Sequence, residues 1–169
     1  ISAPGAAIQS ATYYYLDFDD PATPLVNEQR IEKGDEIADY THDYKTGRDS
    51  YYFYGDASGS DGVRADLADI DQTMVRSAIS REAVFNEANL RSETFYDISQ
   101  GKGKERAALT YAYRNDGTAV RTSTLYDYET GDYETARMVD SKTYEGTVLF
   151  IDISAPGAAI QSATYYYLD

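Results

Sequence analysis

The sequence predicts an all-β protein: repeated β-hairpins winding into a spiralling sheet or a hollow, tube-like wall, with room for one short helix. Three observations carry this. The 169 residues include 18 Tyr and 5 Phe but only 2 Met and no Trp, a balance that suits strands with half-dry faces. Asp-Gly and Thr-Gly pairs recur between short stretches rich in Thr, Val and aromatic residues, which is hairpin chemistry. The seventeen letters ISAPGAAIQSATYYYLD occur twice, at residues 1–17 and 153–169.

The elements follow in chain order. Pro4 and Gly5 give residues 2–5 the character of a turn. From Ile8 the pattern alternates. Ile8, Ser10, Thr12, Tyr14, Leu16 and Phe18 share one face, and Gln9, Ala11, Tyr13, Tyr15 and Asp17 the other. Aromatic bulk on both faces predicts a strand with protein on both sides. "DDPATP" (19–24) is a loop by its prolines, and "GDASGSDG" (55–62) by its glycines.

Residues 69–90 fit two patterns. Ile70, Met74, Ala78 and Phe85 lie near one helical face, whereas Val75, Ile79, Ala83 and Phe85 fit alternation. We read this stretch as β with one helical turn. The rest repeats a theme: an aromatic, a polar residue or Asp, a Gly two to four places on, then a β-branched stretch. It appears in "DYKTGR" (43–48), "FNEANLRSETFYDISQGKG" (85–103), "YAYRNDGTAVRTSTLYDYETG" (111–131), "DYETGD" (127–132) and "YEG" (144–146). Typical strand and turn lengths predict on the order of a dozen strands.

Tyr96-Asp97 with Gly101, Tyr111-x-Tyr113 with Asp116-Gly117, Tyr126-Asp127-Tyr128 with Gly131, and the stretch 40–47 resemble the YD-repeat class found in bacterial Rhs proteins and animal teneurins. The resemblance covers roughly half of the chain. It implies hairpins that wind into a long spiralling sheet around a hollow. Residues 21–39 and 55–82 depart from the pattern, and the self-cleaving core and toxin tail associated with Rhs proteins have no counterpart.

Charge and composition exclude several classes. A net charge of −14 repels phosphate backbones and anionic lipid, so neither nucleic-acid binding nor membrane insertion is expected. With no Cys, disulfides, thiolate metal sites and thiol catalysis are absent. His42, the sole histidine, stands in "YTHDY" beside Asp43. Neighbours in a strand point to opposite faces, so this adjacency builds no triad, and we read His42 as a strand residue.

Asp56, Ser58, Ser60 and Asp61 are calcium candidates that resemble a calcium loop loosely. Their glycine is one place late for an EF-hand and the bidentate Glu is missing. A solvated acidic loop is the competing reading. "QGKGKER" (100–106) lacks P-loop spacing and reads as a basic hairpin tip facing the acidic surface of an adjacent repeat. No motif assigns an enzymatic reaction.

Identity at seventeen positions with a period of 152 makes residues 1–152 one full tandem repeat and 153–169 the start of the next. A deliberate duplication and strand donation to a neighbouring subunit stay open. The expected function is structural: the repeat unit of an extracellular β-rich filament or tube, each copy completing the sheet of the next. Its partners are further copies of the repeat, covalently in tandem or by strand exchange. The alternative is a repeat module of a bacterial surface adhesin or cell-wall protein that grips carbohydrate or a partner protein.

Overall fold

A computed structural model describes residues 8–15, 36–131, 135–149 and 160–166. These form one antiparallel sheet whose spatial order is the chain order. The strands are β1 (Ser10–Tyr15), β2 (Ile37–Asp43), β3 (Arg48–Gly55), β4 (Thr73–Ser80), β5 (Leu90–Asp97), β6 (Arg106–Tyr113), β7 (Val120–Tyr128), β8 (Met138–Glu145) and β9 (Ile160–Tyr165). The protein is all-β, as its turns and tyrosines imply. Among the described residues nine strands stand where about a dozen were expected, and the long β3–β4 connection holds no further strand. Residues 69–90 resolve as a strand followed by a 3₁₀ turn at Glu87–Asn89, and a second such turn spans Ala65–Leu67. Val75 is wholly buried, so alternation into a dry interior outweighs the helical spacing. The predicted turn at 2–5 and loop at 19–24 lie outside the described residues.

The hairpin theme maps onto strand ends. Gly47, Gly101 and Gly117 have φ of 66°, 84° and 77°, the left-handed turn positions that the theme requires. Asp43 accepts the amides of Lys45 and Thr46 at 2.8 and 3.1 Å. Asp116 accepts those of Thr118 and Ala119 at 3.1 and 3.0 Å. The same side-chain device therefore shapes two turns.

One face of the sheet holds most of the core. Tyr51, Phe53, Ala78 and Leu90 form one cluster, and Phe95, Leu109, Tyr111, Leu125 and Val148 another. Loops seal this face. Phe85 packs on Tyr51 and Phe53 with ring centroids 5.1 Å away, and Tyr111 donates to the Val148 carbonyl at 2.6 Å. On the opposite face a hydroxyl row crosses six strands in register: Ser77, Thr94, Thr110, Thr124, Thr143 and Ser162. Thr94 and Thr110 bond at 2.8 Å, and Thr124 and Thr143 at 2.9 Å. Cross-strand Thr pairs of this kind stabilise a sheet.

Tyrosines brace this polar face diagonally. Tyr52, Tyr96 and Tyr126 occupy alternate strands. Their hydroxyls reach Thr41, Ser77 and Thr110 on the strand before, at 2.8, 3.1 and 3.2 Å. Register shifts are equally regular. Following the pairings, Asp39, Val75, Arg91, Ala108, Arg121, Val139 and Gln161 are each left without an opposite residue. Each stands one or two residues after its strand begins. Such bulges bend a strand and increase its twist.

Candidate functional site

The site with most to say about function is the duplicated strand. Ala11 and Tyr13 lie on the face that carries His42 and Tyr40, and Tyr13 stacks on Tyr40 with centroids 4.6 Å apart. In β9 the equivalent of Ala11 is Ala163, opposite Lys142, which lies opposite Leu125 of the core face. Both copies therefore turn the same residues to the same face. Both are odd-numbered strands of a meander, so they also run in the same direction.

They differ in the edge that is occupied. The Gln9 carbonyl accepts the Tyr44 amide at 2.9 Å, so residues 9, 11 and 13 aim their backbone groups at β2. The Tyr166 amide donates to the Val139 carbonyl at 2.9 Å. Tyr166 is the copy of Tyr14, so the even set of the sequence aims at β8. One seventeen-residue sequence thus presents one edge in its first copy and the other in its second. The row from Tyr13 through Tyr51, Glu93 and Ser123 meets β9 at Ile160, the copy of Ile8. Crossing eight ladders therefore displaces the repeated strand by five residues, on the order of 16 Å at the usual rise.

The other candidates find ordinary places. His42 Nδ1 pairs with Asp49 Oδ1 at 2.6 Å, directly across the β2–β3 ladder; the sequence neighbour Asp43 caps its turn instead. Ser58 Oγ accepts the Ile98 amide at 3.1 Å, Ser60 donates its own amide to the Ala57 carbonyl, and Asp61 stands 3.9 Å from Arg76. Asp56 is exposed on the same loop. Among the described residues no group of three or more His, Cys, Asp or Glu side chains is arranged to hold a metal ion. The basic tip at 100–106 meets its own chain: Lys102 donates to the Ile70 carbonyl, and Arg106 stacks 4.4 Å over Tyr128.

Composition gives no hint of a charge network centred on a buried arginine of the core face. Arg76 is 4% exposed and donates to Glu93 (6% exposed) at 3.0 Å and to Glu87 at 2.6 Å. Its guanidinium lies 4.1 Å over the Phe53 ring. Burial alone would lower its pKa, and the carboxylates of Glu87 and Glu93 reverse this and raise it. Tyr113 donates to Glu93, and its own pKa rises through burial and that carboxylate. In TMVRSAIS, Arg76 gives no sequence signal of this role, and only the register sets it opposite Phe53 and Phe95 on the core face.

No protein-family model, curated protein or solved structure matches the chain.

Proposed function

We propose that the chain is a structural repeat unit of an extracellular β-rich filament or tube, in which a single copy of the duplicated strand serves as β9 of one unit and β1 of the next. The observation that carries this is the strand's pairing: same face, same direction, opposite edges. Those three conditions let one strand replace both without reversing a side chain or losing a hydrogen bond. Eight strands then form the repeating block and the meander has no natural end. The five-residue displacement would add at every block, which suits a spiral better than a closed ring. The resemblance to YD repeats favours the same architecture and an extracellular setting. Acidic charge suits a long assembly that must not clump.

A polypeptide of two units sharing one seventeen-residue segment tests this. It is expected to unfold as one cooperative transition, at a higher denaturant midpoint than the 169-residue chain, because the shared strand couples its neighbours. Two independent transitions, each matching the single chain, overturn the reading.

A further inference from the structure

The two rims of the sheet differ in charge. The β3–β4 loop on one rim carries Asp56, Asp66, Asp69 and Asp71, all exposed and without a cationic partner among the described residues. On the opposite rim, the β2–β3 turn and the β4–β5 loop enclose a cavity of about 470 Å³. Arg48, Arg81 and Arg91 line it with Asp49 and Glu82. The two carboxylates are already engaged, Asp49 with His42 and Glu82 with Asn86 and Asn89 at 3.0 and 2.8 Å. Arg81 is fixed by the carbonyls of Tyr113 and Arg114, at 3.1 and 2.9 Å. Arg48 and Arg91 are exposed and have no ion-pair partner among the described residues. Arg91 is also a bulged residue, opposite nothing on β4, and bulges re-aim side chains.

We propose that this arginine cavity is a carboxylate-binding site whose occupant is the acidic β3–β4 loop of a second copy, so that copies also contact rim to rim. In a chain of net charge −14, a cavity lined by three arginines against two engaged carboxylates offers another copy's acid a net positive surface. The planar guanidinium fork donates two parallel hydrogen bonds to a carboxylate. A single exposed contact of this type is weak. Repeated once per unit along an assembly it gains by effective concentration, so many weak contacts hold one turn of sheet against the next. The proposal does not depend on the shared-strand reading, since any two copies present both rims.

The test uses a fluorescent peptide copying residues 56–71 and the 169-residue protein at low salt, read by anisotropy. Saturable binding is expected. It should weaken about tenfold when Arg48→Ala and Arg91→Ala are combined, the sum of two exposed pairs, and vanish near 0.5 M salt. The Arg48→Lys/Arg91→Lys protein should fall between, since charge is kept but the fork is lost. Both side chains are exposed, and unchanged circular dichroism checks that the variants fold. Equal binding by the double alanine protein, equal binding of a peptide with its aspartates changed to asparagine, or no binding up to about 1 mM peptide overturns the proposal. Competition by free acetate as effective as by unlabelled peptide shows a generic carboxylate pocket and overturns the second-copy assignment. A two-unit polypeptide that melts independently leaves all these outcomes unaltered, so the two readings fail separately.

Discussion

At Gly117 the chain accepts only hydrogen as a side chain. Its φ is 77°, and a Cβ there would come within 2.4 Å of Asn89 Cα and 2.9 Å of Asn89 C. Backbone cannot swing aside as a flexible side-chain tip can. Gly117→Ala is expected to cost at least about 1–3 kcal/mol, from left-handed strain plus the clash, read as a lower urea midpoint at unchanged slope. Gly47 has a similar φ and nothing within 4 Å, so Gly47→Ala should cost less. Arg76 is the polar counterpart. Arg76→Ala strands Glu93 in the core face and is expected to cost roughly 3–5 kcal/mol. The double change Arg76→Met with Glu93→Leu removes both charges and should recover much of that loss. Urea unfolding of all four variants checks the ordering. Neither position was legible in sequence. Gly117 reads as one turn glycine among several, and its neighbour Asn89 is distant in sequence. Arg76 reads as a surface charge until Phe53 and Glu93 close over it.

The single strand is the scale at which the duplicated sequence becomes informative. Ser10 and Ser162 are the same residue of the same segment, yet Ser10 directs its amide away from β2 while Ser162 directs its amide toward β8. Proline has no amide to donate and is tolerated on a free edge. Ser10→Pro is therefore expected to change stability little, whereas Ser162→Pro should release β9 and end protection of the Tyr166 amide in hydrogen exchange. Equal effects at both sites would mean that the two copies pair alike. The turns give a pH signature. Asp43 is held below the ordinary carboxylate range by the Thr46 and Lys45 amides, and Asp116 by those of Ala119 and Thr118. Their folded pKa values are depressed, so their stabilisation is present above the unfolded value near 3.9 and is lost as pH falls through the folded one. Protection of the Thr46 and Ala119 amides, relative to their intrinsic exchange rates, should fall below about pH 4, ahead of amides in β6. Alternation, turn residues and the end repeat made these strands and hairpins legible from sequence. The bulges were not, because one extra residue near the start of a strand looks like any other strand residue.

Across the whole molecule, sequence reasoning reached the all-β class and the meander of hairpins. It missed the division of labour between the faces. A threonine and a leucine both suit strands, and only register shows Thr94, Thr110 and Thr124 in one row and Phe95, Leu109 and Leu125 in the next. The identity of the chain ends was visible at once, but its meaning needed the backbone directions of both copies. Seven strands separate the two copies, and that odd number carries a rule about ancestry. Losing or gaining a lone strand would leave the following copy running backwards, with its polar side where its dry side belongs. Natural length variants of such a chain should therefore differ by entire hairpins, so that strand number changes in twos wherever the lineage has lengthened or shortened it.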